Sequence, residues 1–114
     1  YAASVTGPYR ESLSAFFLRE VPDETRHAQY LADKVAALEG VPVVEPAPVP
    51  QETDVKKMLQ NIVKAEATSR DNYSLRAAQA ENLGMIGLAN RLEDMADEES
   101  NHYDETKKIL RGWK

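Results

Sequence analysis

Residues 92–103 read LEDMADEESNHY and contain a Glu-x-x-His motif at Glu99 and His102. Residues 24–27, ETRH, repeat that motif, so both histidines of the chain follow a glutamate by three positions. Residues three apart share one face of a helix, so each pair can direct a carboxylate and an imidazole at one point. A single such pair is most simply a solvated or capping pair, but two of them on apolar helix faces predict a metal site.

Composition limits the kinds of protein that this chain can be. With 114 residues it is long enough for one domain, and it has no cysteine, so any metal must bind to oxygen and nitrogen atoms. The net charge of −5 argues against binding to nucleic acid phosphates. Since the sequence shows neither a membrane-length apolar stretch nor a signal peptide, we expect a cytoplasmic protein that binds no membrane.

Apolar residues at three- and four-residue spacing predict three long helices, over residues 9–39, 53–83 and 86–111. Residues 1–7 read as the end of a preceding helix, which Gly7 and Pro8 stop. Pro22 should bend or restart the first long helix just before Glu24, and Gly40 should cap its end. Either Thr53 or Asp54 can cap the helix that follows.

The segment 40–52 separates the first two long helices and contains four prolines within residues 41–52. An extended segment of that length reaches roughly 37 Å at about 3.1 Å per residue, which is the length of a long helix. Two helices joined in this way can run parallel. The sequence therefore predicts a single all-α domain over residues 1–114, in which one long crossover connects two helices of a bundle.

Glu66 lies on the apolar face of the predicted helix 53–83, and we expect the two Glu-x-x-His pairs to lie on core-facing stripes as well. Burial of three uncompensated carboxylates would cost several kcal/mol each, so cations or protons must compensate them. A pair of divalent metal ions meets this need, and oxygen and nitrogen ligands suit iron, manganese or zinc. The predicted metal ligands are Glu24, His27, Glu66, Glu99 and His102.

Two passages carry a family resemblance that covers nearly the whole chain. Residues 27–42, HAQYLADKVAALEGVP, resemble the second helix and following loop of bacterioferritin-like proteins, and residues 92–102 resemble their fourth helix. Glu66 precedes Glu99 by 33 positions, where the bacterioferritin-like pattern has its third-helix ligand. The chain thus resembles the ferritin-like superfamily, which implies a four-helix bundle with one long crossover between its second and third helices.

The resemblance implies a dinuclear iron site, with manganese or zinc as alternatives. It makes Glu24 with His27 one ligand pair, Glu99 with His102 the other, and Glu66 the single glutamate. The three glutamates would be the catalytic groups. Thr25 stands where bacterioferritin has its haem-ligating methionine, so we expect no haem. The glutamate of the family's first helix is absent from this chain, so we expect that helix to be truncated here, supplied by another chain, or without a ligand.

The function that the resemblance implies is ferroxidase activity. Iron(II) would be oxidised by dioxygen or peroxide, for iron storage or detoxification, in a homo-oligomer between a dimer and a cage. One alternative is a di-iron or di-manganese oxidoreductase of the hydroxylase or manganese catalase type, since one fold hosts several chemistries. The other is a metal-free helical interaction module.

Overall fold

A computed structural model describes residues 1–43 and 48–113. These residues form three helices, α1 (Arg10–Ala37), α2 (Val55–Asn82) and α3 (Ile86–Arg111), and no β-strand. The all-α prediction is therefore confirmed for the described part of the chain. No helix in this part is long and apolar enough to cross a membrane. The chain comprises two compact units, residues 1–53 and 54–114.

Helix α1 dominates the first unit and continues without interruption past Pro22. Of the two predicted effects of Pro22, the restart of the helix before Glu24 is therefore wrong, and the bend stays a prediction. Proline has a φ angle that is compatible with a helix, and what it removes is one backbone donor, here the partner of the Leu18 carbonyl. Glu24 and the residues before Pro22 thus lie on one helix.

The C-terminal end of α1 is a Schellman motif, but Gly40 does not occupy its left-handed position. Gly40 N donates to Val35 O at 2.8 Å and Glu39 N donates to Ala36 O at 3.0 Å, which is the hydrogen-bond pattern of this motif. The left-handed position, with φ of 64°, is occupied by Glu39. Gly40 follows it, where a Cβ atom would come within 2.9 Å of Val35 Cγ1. At this position limited space, and not a positive φ, therefore favours glycine.

Residues 1–7 contain a single turn. Val5 N donates to Tyr1 O at 2.9 Å, and the buried Val5 accepts a hydrogen bond from the Arg10 guanidinium through its carbonyl oxygen. The Tyr1 hydroxyl donates to Pro50 O at 3.2 Å. Residues 44–47 of the predicted crossover lie outside the described residues, and its other residues form neither helix nor strand.

The second unit is a hairpin of α2 and α3. Asp54 begins α2 as the predicted cap, since its Oδ1 accepts a hydrogen bond from Lys57 N at 2.9 Å. Gly84, with φ of 74°, ends α2 and lets Met85 N donate to Ala80 O at 2.9 Å. Only three residues separate α2 from α3, and the two helices pack against each other. The short connection makes them antiparallel neighbours.

The buried face of this hairpin contains both apolar and polar residues. The fully or nearly fully buried apolar side chains are those of Met58, Leu59, Ala77 and Ala80 on α2 and Ala89, Leu92, Met95 and Ala96 on α3. Glu66 of α2 and Glu99 and Thr106 of α3 are also buried. The core of this unit therefore buries two carboxylates and a hydroxyl.

Several apolar residues within the predicted helices are exposed: Val21, Val35 and Leu38 on or after α1, and Leu75 on α2. On α1 the exposed positions form a second stripe, at three-, four- and seven-residue spacing, beside the buried one. We call it the α1 stripe, and it consists of Leu18, Val21, Thr25, Ala28 and Val35. Periodicity predicts which residues share a helix face, but whether that face is covered depends on other parts of the structure.

Candidate metal centre

The first Glu-x-x-His pair occupies adjacent turns of α1. His27 Nδ1 lies 3.9 Å from Glu24 Oε2. Two atoms that bind one metal ion at about 2.1 Å can be at most about 4.2 Å apart, so one ion can reach both. His27 is 1% exposed. The pair therefore offers a nitrogen and an oxygen ligand from a single helix.

Glu24 departs from the prediction that all five candidate ligands are buried, because its side chain is 51% exposed. It lines an open cavity at the surface of α1, together with Phe17, Glu20, Val21, Thr25 and Ala28. Helical spacing does place Glu24 on the stripe that contains His27. Its exposure therefore does not result from a different helix face.

The second pair lies on α3 and has nearly the same geometry. His102 Nδ1 is 3.8 Å from Glu99 Oε2, and the two side chains are 14% and 4% exposed. In both pairs the nitrogen–oxygen separation exceeds hydrogen-bond distance, and in each pair it fits one metal ion that binds both atoms. The two motifs thus adopt matching side-chain arrangements on different helices.

Glu66 of α2 is 6% exposed. The Thr106 hydroxyl lies 2.8 Å from Glu66 Oε1, to which it donates, and Thr106 Oγ1 is also 2.9 Å from His102 O. Within the second unit, Thr106 therefore connects the single glutamate to the backbone of a candidate histidine ligand. Thr106 is not among the predicted site residues. Helical spacing could have identified it, since Thr106 follows His102 by four positions and lies on the same helix face as the Glu-x-x-His motif.

The chemistry of these side chains fits a transition metal. Glu66 and Glu99 are nearly fully buried, and burial of a carboxylate is costly unless a cation or a proton compensates the charge. The five candidates offer carboxylate oxygen and imidazole nitrogen, which iron, manganese and zinc accept. His27, Glu66, Glu99 and His102 thus supply buried or partly buried donors, and Glu24 supplies an accessible one.

Long helices with two Glu-x-x-His pairs and a further glutamate define the class of helical carboxylate proteins. The family model of the ferritin-like domain matches residues 1–114, and the chain belongs to that family. A crystal structure described as a ferritin-like, diiron-carboxylate protein from Bacillus anthracis strain Ames is similar to this chain, with 42% sequence identity and a TM-score of 0.93. The similarity covers 96% of this chain and 78% of the Bacillus chain. The comparison with curated proteins gives no match.

Proposed function

We propose that this protein binds two iron ions through Glu24, His27, Glu66, Glu99 and His102 and oxidises iron(II) for storage or detoxification. The observation that carries the proposal is the matching geometry of the two Glu-x-x-His pairs, with nitrogen–oxygen separations of 3.9 and 3.8 Å. Membership of the ferritin-like family supports it, as does the diiron-carboxylate description of the Bacillus protein.

In this proposal α1, α2 and α3 correspond to the second, third and fourth helices of a ferritin-like four-helix bundle. The order of the motifs supports the correspondence, because the pairs lie on α1 and α3 and the single glutamate lies on α2. The long segment between α1 and α2 is the place where such a bundle has its crossover. The truncated first helix remains a prediction.

Iron(II) is the substrate in this reaction. Two iron(II) ions lose one electron each, and one molecule of dioxygen or peroxide accepts the two electrons. The glutamate carboxylates favour the product, because their negative charges stabilise iron(III) more than iron(II). Neutral His27 and His102 provide nitrogen ligands without adding charge. Burial of Glu66 and Glu99 strengthens these electrostatic effects, since the interior has a low dielectric constant.

An anaerobic iron(II) titration of the purified protein tests the ligand set. We expect about two iron ions per chain, since the geometry of each pair fits one ion. Glu24→Gln removes the charged oxygen ligand of the α1 pair and should reduce the count to one or fewer. It should also slow iron oxidation once air is admitted. Glu11→Gln makes the same change at an exposed position of α1. It should leave the number of bound iron ions and the rate of iron oxidation at the values of the parent.

The outcomes separate the alternatives. A parent protein that binds one iron or none contradicts the dinuclear site. If the parent binds two iron ions per chain and Glu24→Gln binds two as well, the α1 pair is not part of the ligand set. Tight binding of manganese without iron oxidation would favour the alternative of a di-manganese oxidoreductase.

We also propose that a second copy of this chain covers the α1 stripe. Leu18 and Val21 of the stripe are each more than half exposed, and exposed neighbouring apolar side chains of this kind are typical of an interaction surface. The cavity beside Glu24 is lined by Val21, Thr25 and Ala28 of the same stripe. A partner on the stripe would therefore also reduce the exposure of a candidate ligand.

Sedimentation velocity at micromolar concentration measures this association. We expect the parent to be a dimer or larger, and Val21→Glu to shift it to monomer, because the substitution places a charge within an apolar contact. Val41→Glu is the matched control, since Val41 is highly exposed and lies outside α1. A monomeric parent, or equal dissociation by both variants, would show that the stripe is not the interface.

A further inference from the structure

Thr106 is a fully buried polar residue of α3, with 0% exposure. It follows Glu99 by seven positions and His102 by four, so all three residues share one face of the helix. Valine would fill the same volume without a polar group. The hydroxyl at this buried position therefore needs an explanation beyond packing.

The hydroxyl oxygen lies within hydrogen-bond distance of two acceptors in the second unit, and its single proton donates to one of them at a time. Thr106 Oγ1 lies 2.8 Å from Glu66 Oε1 on α2 and 2.9 Å from His102 O on α3. Threonine is β-branched, so its χ1 rotation in a helix is restricted to few rotamers, and the observed one brings Oγ1 to Glu66. The oxygen that donates to Glu66 thus has a fixed direction relative to the α3 backbone.

This geometry constrains the Glu66 carboxylate. A glutamate side chain has three rotatable bonds, and freezing them opposes metal binding if the side chain is mobile beforehand. A hydrogen bond to a carboxylate from a neutral donor is stronger than one between neutral groups. The bond at Oε1 selects one side-chain conformation and one orientation of the carboxylate plane.

We propose that Thr106 is a positioning residue, which orients Glu66 for metal binding through the hydrogen bond at Oε1. The role rests on the proposed function, because it requires Glu66 to be a ligand. Groups that hold metal ligands in place typically contribute 10- to 100-fold to affinity. We therefore expect loss of the hydroxyl to weaken binding of the ion that Glu66 contacts.

Cobalt(II) titration of the whole chain tests the role, because its visible absorption bands report the number and arrangement of ligands. Thr106→Val should weaken cobalt binding by about 10- to 100-fold and alter the absorption bands of the bound ion. Thr106→Ser keeps a hydroxyl and should restore both the cobalt affinity and the absorption bands of the parent. Thr68→Val is the matched control, since Thr68 is exposed on α2 two residues after Glu66. Circular dichroism of each metal-free variant checks folding.

A double-mutant cycle shows whether Thr106 acts through Glu66. In a Glu66→Gln background, Thr106→Val should cause little further loss of cobalt affinity. A merely structural role would instead lower the thermal unfolding midpoint and leave the cobalt spectrum unchanged. If the parent binds cobalt and Thr106→Val binds it equally well, the positioning role is wrong and the proposed function stands. If the parent binds neither cobalt nor iron, the proposed function fails and the role of Thr106 fails with it.

Discussion

Glu99→Gln is expected to reduce the rate of iron(II) oxidation on the order of 100-fold or more, since residues that only support metal ligands already contribute 10- to 100-fold. Glu99 is nearly fully buried on α3, and its Oε2 lies 3.8 Å from His102 Nδ1. Glutamine has almost the same shape but no charge, so it is a weaker ligand for iron(III). The initial increase in ferric absorption, followed by stopped-flow spectroscopy, measures the rate of oxidation.

The same substitution should have the opposite effect on the stability of the metal-free protein. An amide costs less to bury than a carboxylate, so the thermal unfolding midpoint of Glu99→Gln without metal should rise. Asp97→Asn is the matched control, because it removes one charge from an exposed position of the same helix. Oxidation at the parental rate by Glu99→Gln would remove Glu99 from the site. A midpoint that does not rise would mean that other groups already compensate its charge.

Leu59→Ala should have the largest effect on folding, with a loss of about 2–5 kcal/mol in the free energy of unfolding. Leu59 lies on α2 and is 0% exposed. Truncation to alanine removes buried apolar surface and leaves a cavity that the neighbouring side chains fill only in part. Urea denaturation of the metal-free protein, followed by circular dichroism, measures the change.

Leu75 provides a control of the same residue type on the same helix. It is 55% exposed, so Leu75→Ala should change the free energy of unfolding by no more than about 0.5 kcal/mol. Similar losses in the two variants would mean that Leu75 is also covered, for example in an oligomer. If Leu59→Ala lowers the free energy of unfolding only slightly, Leu59 does not lie in the core.

The elements predicted best are those that depend on local interactions. The three long helices follow from apolar periodicity, and Asp54 marks the start of one of them. Caps and turns involve residues within a few positions of one another, so the sequence contains most of the information. The end of α1 shows the limit, because the chain places Glu39 and not Gly40 in the left-handed conformation.

The candidate site was predicted in its chemistry but not in its surroundings. The Glu-x-x-His spacing alone places a carboxylate and an imidazole on one helix face, and the structure brings each pair to within 3.9 Å or less. The spacing could not show that Glu24 is exposed while His27 is buried, nor that Thr106 hydrogen bonds to Glu66 from a different helix. Identity and spacing of ligands are properties of neighbouring residues. Exposure and contacts between helices depend on residues far apart in the chain, which only the folded arrangement brings together.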